Sequence, residues 1–333
     1  MESDTKHLLR VSGISIQEKG NFTLQDISFN QQESQKIAIA GETGAGKSTL
    51  LKIIAGLIQP DAGEVWCEDE RVLGPAEKLV PGHPGIAYLS QHFELPKSLR
   101  VEQVLRYANT LPGNEAATLY EICRITHLLE RRTDHLSGGE KQRIALAKLL
   151  ISSPKLLLLD EPYSNLDAVH KNILKSVVRD VGERLGITCT LTSHDPLDTL
   201  SWADEIVVIR GGKLLQQGSP EQIYRRPVSE YVAALFGSYN LIVPEQAEEF
   251  YRSLGMEPTE KHLLIRPESF KVVTDKSQVL VGAVQAVTFY GSYYELEVRL
   301  KGGSTVTVRT TENKAGKGDT IYLSVAIDSV GYV

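Results

Sequence analysis

A chain of 333 residues is long enough for two domains and a large buried core, and 41% apolar with 23% charged residues is an ordinary globular composition. A formal net charge of −6 lacks the basic footprint of a nucleic-acid binder, and no Lys/Arg cluster stands out to attach the chain to a membrane surface. The apolar runs are short, such as 156–159 and 206–209, and fall below the roughly 18 residues that cross a bilayer, and the polar start at 1–6 carries no signal core, so a cytosolic chain is expected.

Residues 8–31 alternate short apolar stretches with turn signals at Gly13 and Gly20-Asn21, which predicts β-strands. Residues 35–40 form a compact strand running into a glycine-rich loop. The segment 48–57 places Leu50, Leu51, Ile54 and Leu57 on one helical face, and Gln59-Pro60-Asp61 ends it. A strand at 85–89 leads to Ser90-Gln91, and 101–150 is mostly helical. The run 155–160 is a buried strand, 166–185 a helix and 187–192 another strand. Such alternation predicts a largely parallel α/β sheet. Cys67, Cys123 and Cys189 show no metal-ligand spacing and read as small core residues of a reducing compartment.

After Gly237 the pattern changes. We place a domain boundary at 237–241, giving domains 1–237 and 241–333, with a helical subdomain at about 92–150 of the first. Residues 245–254 read as a helix. From His262 the period becomes two: Tyr294, Leu296, Val298 and Leu300 face one way, Glu295, Glu297 and Arg299 the other. Lys301-Gly302-Gly303-Ser304 is a hairpin signal, and Val306 and Val308 resume the alternation. The tail is expected to be a small β-barrel.

Gly41-Glu42-Thr43-Gly44-Ala45-Gly46-Lys47-Ser48, followed by Thr49, fits the phosphate-loop pattern GxxxxGK[ST]. Glycines let backbone N–H groups turn toward phosphate oxygens, and the helix that follows presents its positive end to the same anion. Lys47 is expected to reach the β/γ-phosphates and the Ser48 hydroxyl to hold Mg²⁺. The apolar strand ending in Asp160-Glu161-Pro162 delivers Asp160 to the sheet's carboxyl edge as a Mg²⁺ partner, with Glu161 turned to polarise the attacking water. Gln91 follows one strand and is a candidate for the metal or the water. His194 follows another and is a candidate for the γ-phosphate. Leu136-Ser137-Gly138-Gly139-Glu140-Lys141-Gln142-Arg143 opens a helix with a second anion-site grammar. One fold needs a single γ-phosphate clamp, so a second such site invites a second subunit.

With these motifs the chain, over about residues 8–237, resembles an ATP-binding cassette (ABC) ATPase. Gly41 to Ser48 match Walker A, Gln91 the Q-loop, and residues 136–142 the signature. Asp160 and Glu161 match Walker B and the catalytic glutamate, Ser164-Asn165-Leu166-Asp167 the D-loop, and His194 the switch histidine. The resemblance implies an ATP hydrolase of P-loop α/β fold that pairs head to tail with a second copy of itself or a homologous ATPase. Each nucleotide would lie between one Walker A loop and the partner's Ser137, Gly138, Gly139 and Asp167. It also implies that the segment after Gln91 docks on transmembrane subunits. Two departures stand out. Glu140 replaces a common glutamine, and the stretch upstream of Walker A offers Phe22 where the family stacks an aromatic ring on adenine.

The tail resembles the TOBE domain, an OB-like barrel of importer ATPases, chiefly through His262-Leu263-Leu264-Ile265-Arg266-Pro267-Glu268. The upstream run from Gly218 to Tyr224 with Pro227 matches the same importers. Ten basic against twelve acidic residues from 241 onward disfavour a nucleic-acid tract. The resemblance thus implies a solute importer with two membrane-spanning permease subunits, an extracytoplasmic solute-binding protein, and a peripheral place on the cytoplasmic face of the inner membrane. A separate-subunit exporter, a non-transport ABC ATPase, or a tail that senses a solute or partner remain as alternatives.

Overall fold

The computed structural model describes residues 7–18, 20–92, 94–109, 111–275, 277 and 279–333, without the side chains of residues 18, 21, 22 and 113. The Phe22 ring, expected at the adenine, therefore lies outside the described residues. Contacts divide the chain into two compact units, one ending at Pro220 and the other running from Glu221 to Val333.

The first unit begins with a long antiparallel hairpin, β1 (His7–Glu18) and β2 (Asn21–Gln32). Next, β3 (Lys36–Ala40) carries the glycine-rich loop into α1 (Lys47–Ile54). β4 (Ala62–Cys67) returns to pair with β1, and β5 (Glu70–Arg71) completes an antiparallel sheet ordered β2-β1-β4-β5. β6 (Ile86–Leu89) is followed by α2 (Val101–Ala108), α3 (Gly113–Ile122) and α4 (Gly138–Leu150). Then come β7 (Leu156–Asp160), α5 (Ala168–Leu185), β8 (Thr188–Ser193), α6 (Pro196–Leu200), β9 (Glu205–Arg210) and β10 (Lys213–Gly218).

The second sheet is ordered β10-β9-β3-β8-β7-β6, with only the β10–β9 ladder antiparallel. Its central strands are buried on both faces, which is why β7 reads as an unbroken leucine run rather than an alternating one. Leu50, Leu51 and Ile54 of α1 share one apolar cluster with Val11 of β1, Ile27 of β2 and Leu158 of β7, so both sheets grip the helix. Parallel pairing brings the carboxyl ends of β3, β6, β7 and β8 to one edge, which sets the site there.

Several boundaries differ from the sequence reading. α1 stops at Ile54 because Gly56 takes a left-handed φ of 73°, where the chain turns before Leu57. Among the described residues the stretch 101–150 holds three α-helices and two 3₁₀ turns, Thr126–Leu128 and Thr133–His135, with breaks at Pro112 and at Arg124, whose φ is 54°. α5 starts at Ala168 because Asp167 caps it.

The second unit opens with the remainder of α7 (Pro220–Arg225) and α8 (Glu230–Phe236). It continues through β11 (Asn240–Ile242), α9 (Glu248–Leu254), β12 (Leu263–Ile265), β13 (Phe270–Val273) and β14 (Leu280–Phe289). β15 (Tyr294–Leu300), β16 (Thr305–Thr310), β17 (Thr320–Val325) and β18 (Val330–Tyr332) complete it. The strands form two antiparallel sheets, β11-β12-β18 and β13-β17-β14-β15-β16. Their alternation buries Leu296, Val298, Leu300, Val306 and Val308 against Phe250 and Phe270. The helix expected over 245–254 is a 3₁₀ turn at Pro244–Gln246 followed by α9. The division after Pro220 lies upstream of the boundary read at 237–241. Arg266 explains the shift, because it donates to the carbonyls of Tyr224, Ala233, Gly237 and Ser238 and so holds α7 and α8 within the second unit.

Candidate active site

The loop between β3 and α1 needs its glycines for space and for backbone angle. Gly44 and Gly46 sit at φ 86° and 97°, and a Cβ on Gly46 would lie 2.7 Å from the Thr23 carbonyl oxygen. A Cβ on Gly41 would meet the Ile209 carbonyl oxygen at 2.3 Å. Ala45 is buried and donates its N–H to the Glu42 carbonyl, closing the turn. Lys47 begins the helix with only 6% of its surface exposed. Its Nζ donates to the carbonyls of Gly41 (2.8 Å) and Glu42 (2.9 Å) and stands 4.0 Å from Glu161 Oε1. Burial pulls this ammonium's pKa below its ordinary value, while Glu161, Asp160 and Glu42 oppose that by stabilising the charge.

Asp160 ends β7 as a buried carboxylate with three hydroxyl donors. Ser48 Oγ (2.8 Å) and Thr192 Oγ1 (2.9 Å) both reach Oδ1, and the Tyr88 hydroxyl reaches Oδ2 at 2.9 Å. Burial first, and then the Asp160 charge, push the Tyr88 phenol well above its usual range, so it donates and stays neutral. Glu161 is turned away from its neighbour by a left-handed φ of 49°, a conformation that costs a non-glycine residue and clusters at functional sites. Its N–H donates to Thr192 Oγ1 at 2.9 Å, which helps hold the turn. Its Oε2 is 2.6 Å from His194 Nδ1.

Thr23, Thr43, Gly44, Gly46, Lys47, Ser48, Thr49, Gln91, Glu161 and His194 line one cavity of about 300 Å³. Gln91 Nε2 also donates weakly to Ser164 Oγ at 3.4 Å. Ser48, Asp160 and Gln91 offer hard oxygen donors of the kind a small dication takes, and the Ser48–Asp160 pair is close enough to share one ion. Sequence reasoning missed Thr192, Tyr88 and Thr23. The strands that carry the first two were read correctly, but which side chain faces Asp160 depends on strand order. A wider cleft of about 800 Å³ opens in the second unit beside Glu268, Tyr293 and Arg309, where Arg309 is already tied to Glu295 at 2.8 Å.

Ser137, Gly138, Gly139 and Asp167 do not line the Lys47 cavity. Ser137 caps α4: its Oγ accepts from the Glu140 N–H (3.3 Å), and Glu140 Oε2 accepts from the Ser137 N–H (2.7 Å). Gln142, also unforeseen in this role, is buried and donates to the Pro162 carbonyl at 2.6 Å, tying the signature helix to the turn after Glu161. The signature therefore forms a second turn of the unit, braced from behind.

A family model for the ABC transporter matches residues 24–164, and one for the TOBE domain matches residues 263–331. The glucose import ATP-binding protein of Saccharolobus solfataricus is 31% identical over 92% of this chain and 93% of its own length. A spermidine/putrescine import ATP-binding protein of Clostridium acetobutylicum is 28% identical over 99% of this chain and 97% of its own. Among solved structures, cbiO1 of Clostridium perfringens, part of the ABC transporter complex cbiONQ, superimposes with a TM-score of 0.57 at 26% identity. It covers 66% of this chain and 90% of that one.

Proposed function

This chain belongs to the ABC transporter family as an ATP-hydrolysing subunit, and from that premise we propose how its residues work and what they drive. One observation carries the reading: groups from the ends of β3, β7 and β8 converge on a single cavity, with Glu161 4.0 Å from Lys47 and 2.6 Å from His194. Lys47 and the turned N–H groups of the glycine loop bind and orient the triphosphate. Glu161 accepts the proton of the attacking water, and His194 holds that carboxylate and steadies charge at the γ-phosphate. Ser48, Asp160 and Gln91 would hold Mg²⁺, which when bound neutralises charge on the phosphoryl oxygens. Thr192 and Tyr88 hold the Asp160 carboxylate in place through their hydroxyls.

In the same reading two copies stack head to tail. The turn of Ser137, Gly138 and Gly139, with Asp167, completes the other copy's nucleotide site, and closure and reopening form the stroke. The TOBE match and the import relatives favour a solute importer. Its work would be done at the cytoplasmic face of the membrane on two permease subunits, with an extracytoplasmic binding protein delivering the solute. Among the described residues no helix is long and apolar enough to cross a membrane.

Full-length Glu161→Gln tests this reading. Glutamine keeps the shape but cannot take the proton, so turnover should fall at least about 100-fold. Light scattering should register a doubling of mass with Mg-ATP. Hydrolysis near the parental rate would remove Glu161 from the base role, and a persistent monomer would remove the paired site.

A further inference from the structure

The third residue of α5, His170, touches both loops that the paired reading presents to a second copy. Its backbone N–H donates to Asp167 Oδ1 at 3.0 Å, the ordinary cap of a helix. Its ring Nδ1 lies 2.6 Å from Asp167 Oδ2, so one residue holds both oxygens of the carboxylate. The other side of the ring faces α4. A Cβ placed on Gly139 would lie 2.9 Å from His170 Cδ2 and 3.1 Å from its Cβ. A Cβ on Gly138 would meet nothing within 4 Å. The two signature glycines thus have different duties: Gly138 leaves open space, and Gly139 seats the imidazole.

We propose that His170 is a positioning residue that fixes the Asp167 loop and the signature turn to each other, so that this chain offers them to its second copy as one surface. The inference rests on the head-to-tail reading above. Capping α5 needs a single carboxylate oxygen, and the other, on a side chain 63% exposed, would be free to swing. The Nδ1 contact removes that freedom. The ring's packing on the Gly139 backbone then transmits the constraint to α4, whose first turn is already stiffened by Ser137 and Glu140.

The test compares full-length His170→Leu, which keeps bulk and loses the ring N–H, with His170→Asn, which restores an amide N–H near the same point. Calorimetry should find ATP affinity within about twofold of the parent in both, since the Lys47 cavity is untouched. Turnover of the leucine chain should fall about tenfold, a loss of alignment worth roughly 1.4 kcal/mol. Its dimer fraction in a Glu161→Gln background should drop, and asparagine should recover turnover to within about threefold of the parent. A leucine chain that hydrolyses and pairs like the parent overturns the proposal, as does an asparagine chain no better than leucine. Should leucine fail to fold, His170→Ser against His170→Asn decides on the same criteria. A Glu161→Gln chain with His170 intact that stays monomeric overturns the head-to-tail reading and this role of His170 with it, whereas a parent that pairs beside a leucine chain that pairs and turns over equally well overturns His170 alone.

Discussion

Thr192 makes two hydrogen bonds on which the acid pair of β7 depends. Its hydroxyl donates to Asp160 Oδ1 and accepts from the Glu161 N–H, both at 2.9 Å, at a position with no solvent exposure. Valine would match the shape while leaving the Glu161 N–H unpaired and Asp160 short of a donor. Thr192→Val should therefore cost about 1–3 kcal/mol of stability by urea titration. Because Glu161 sits in a strained left-handed conformation, turnover should fall further than ATP affinity. Unchanged hydrolysis would show that Glu161 needs no such anchor. That β7 ends on Asp160, with Glu161 just beyond it, was legible in the sequence because an apolar run closing on two acids reads as a buried strand reaching a sheet edge. Thr192 was not, since a threonine in a strand announces its partner only once β8 is known to lie beside β7.

At the scale of elements, the signature helix explains its own departure from the common glutamine. Glu140 stands three residues after the Ser137 cap and closes a capping box, a role that glutamine fills equally well because either side chain accepts the cap's N–H. The charge itself matters little, since its partner Arg131 (3.0 Å) is half exposed and such pairs contribute at most about 1 kcal/mol. Glu140→Gln should thus leave stability within about 0.5 kcal/mol of the parent, whereas Glu140→Ala should lose about 1 kcal/mol. Thermal unfolding of the three chains distinguishes these outcomes, and equal losses for Gln and Ala would rule out the box. The cap was readable from Ser137 alone. The reciprocal bond and the grip of Gln142 on the Pro162 carbonyl were not, because each depends on how α4 lies against the turn after β7.

Across the whole chain, the two units were legible in kind, because a switch from helical period to period two marks a change of architecture. The position of the division was harder to read. Composition shifts after Gly237, yet α7 and α8 are captured from downstream by Arg266, only 4% exposed, whose guanidinium stacks 4.1 Å from the Tyr224 ring. Burial draws the Arg266 pKa down, and its charge is met by the carbonyl dipoles of Tyr224, Ala233, Gly237 and Ser238 rather than by an acid bonded to it. A motif that reads as a family signature is thus a structural anchor whose partners lie about thirty to forty residues earlier. Arg266→Met retains much of the apolar stem but strands those carbonyls, at a cost of roughly 1–3 kcal/mol. Hydrogen exchange should then rise in peptides covering α7, α8 and β12 while protection around Lys47 and Asp160 is unchanged. Faster exchange that is equal in both units would mean that Arg266 does not act locally, and exchange unchanged everywhere would mean that the four carbonyls do not need it.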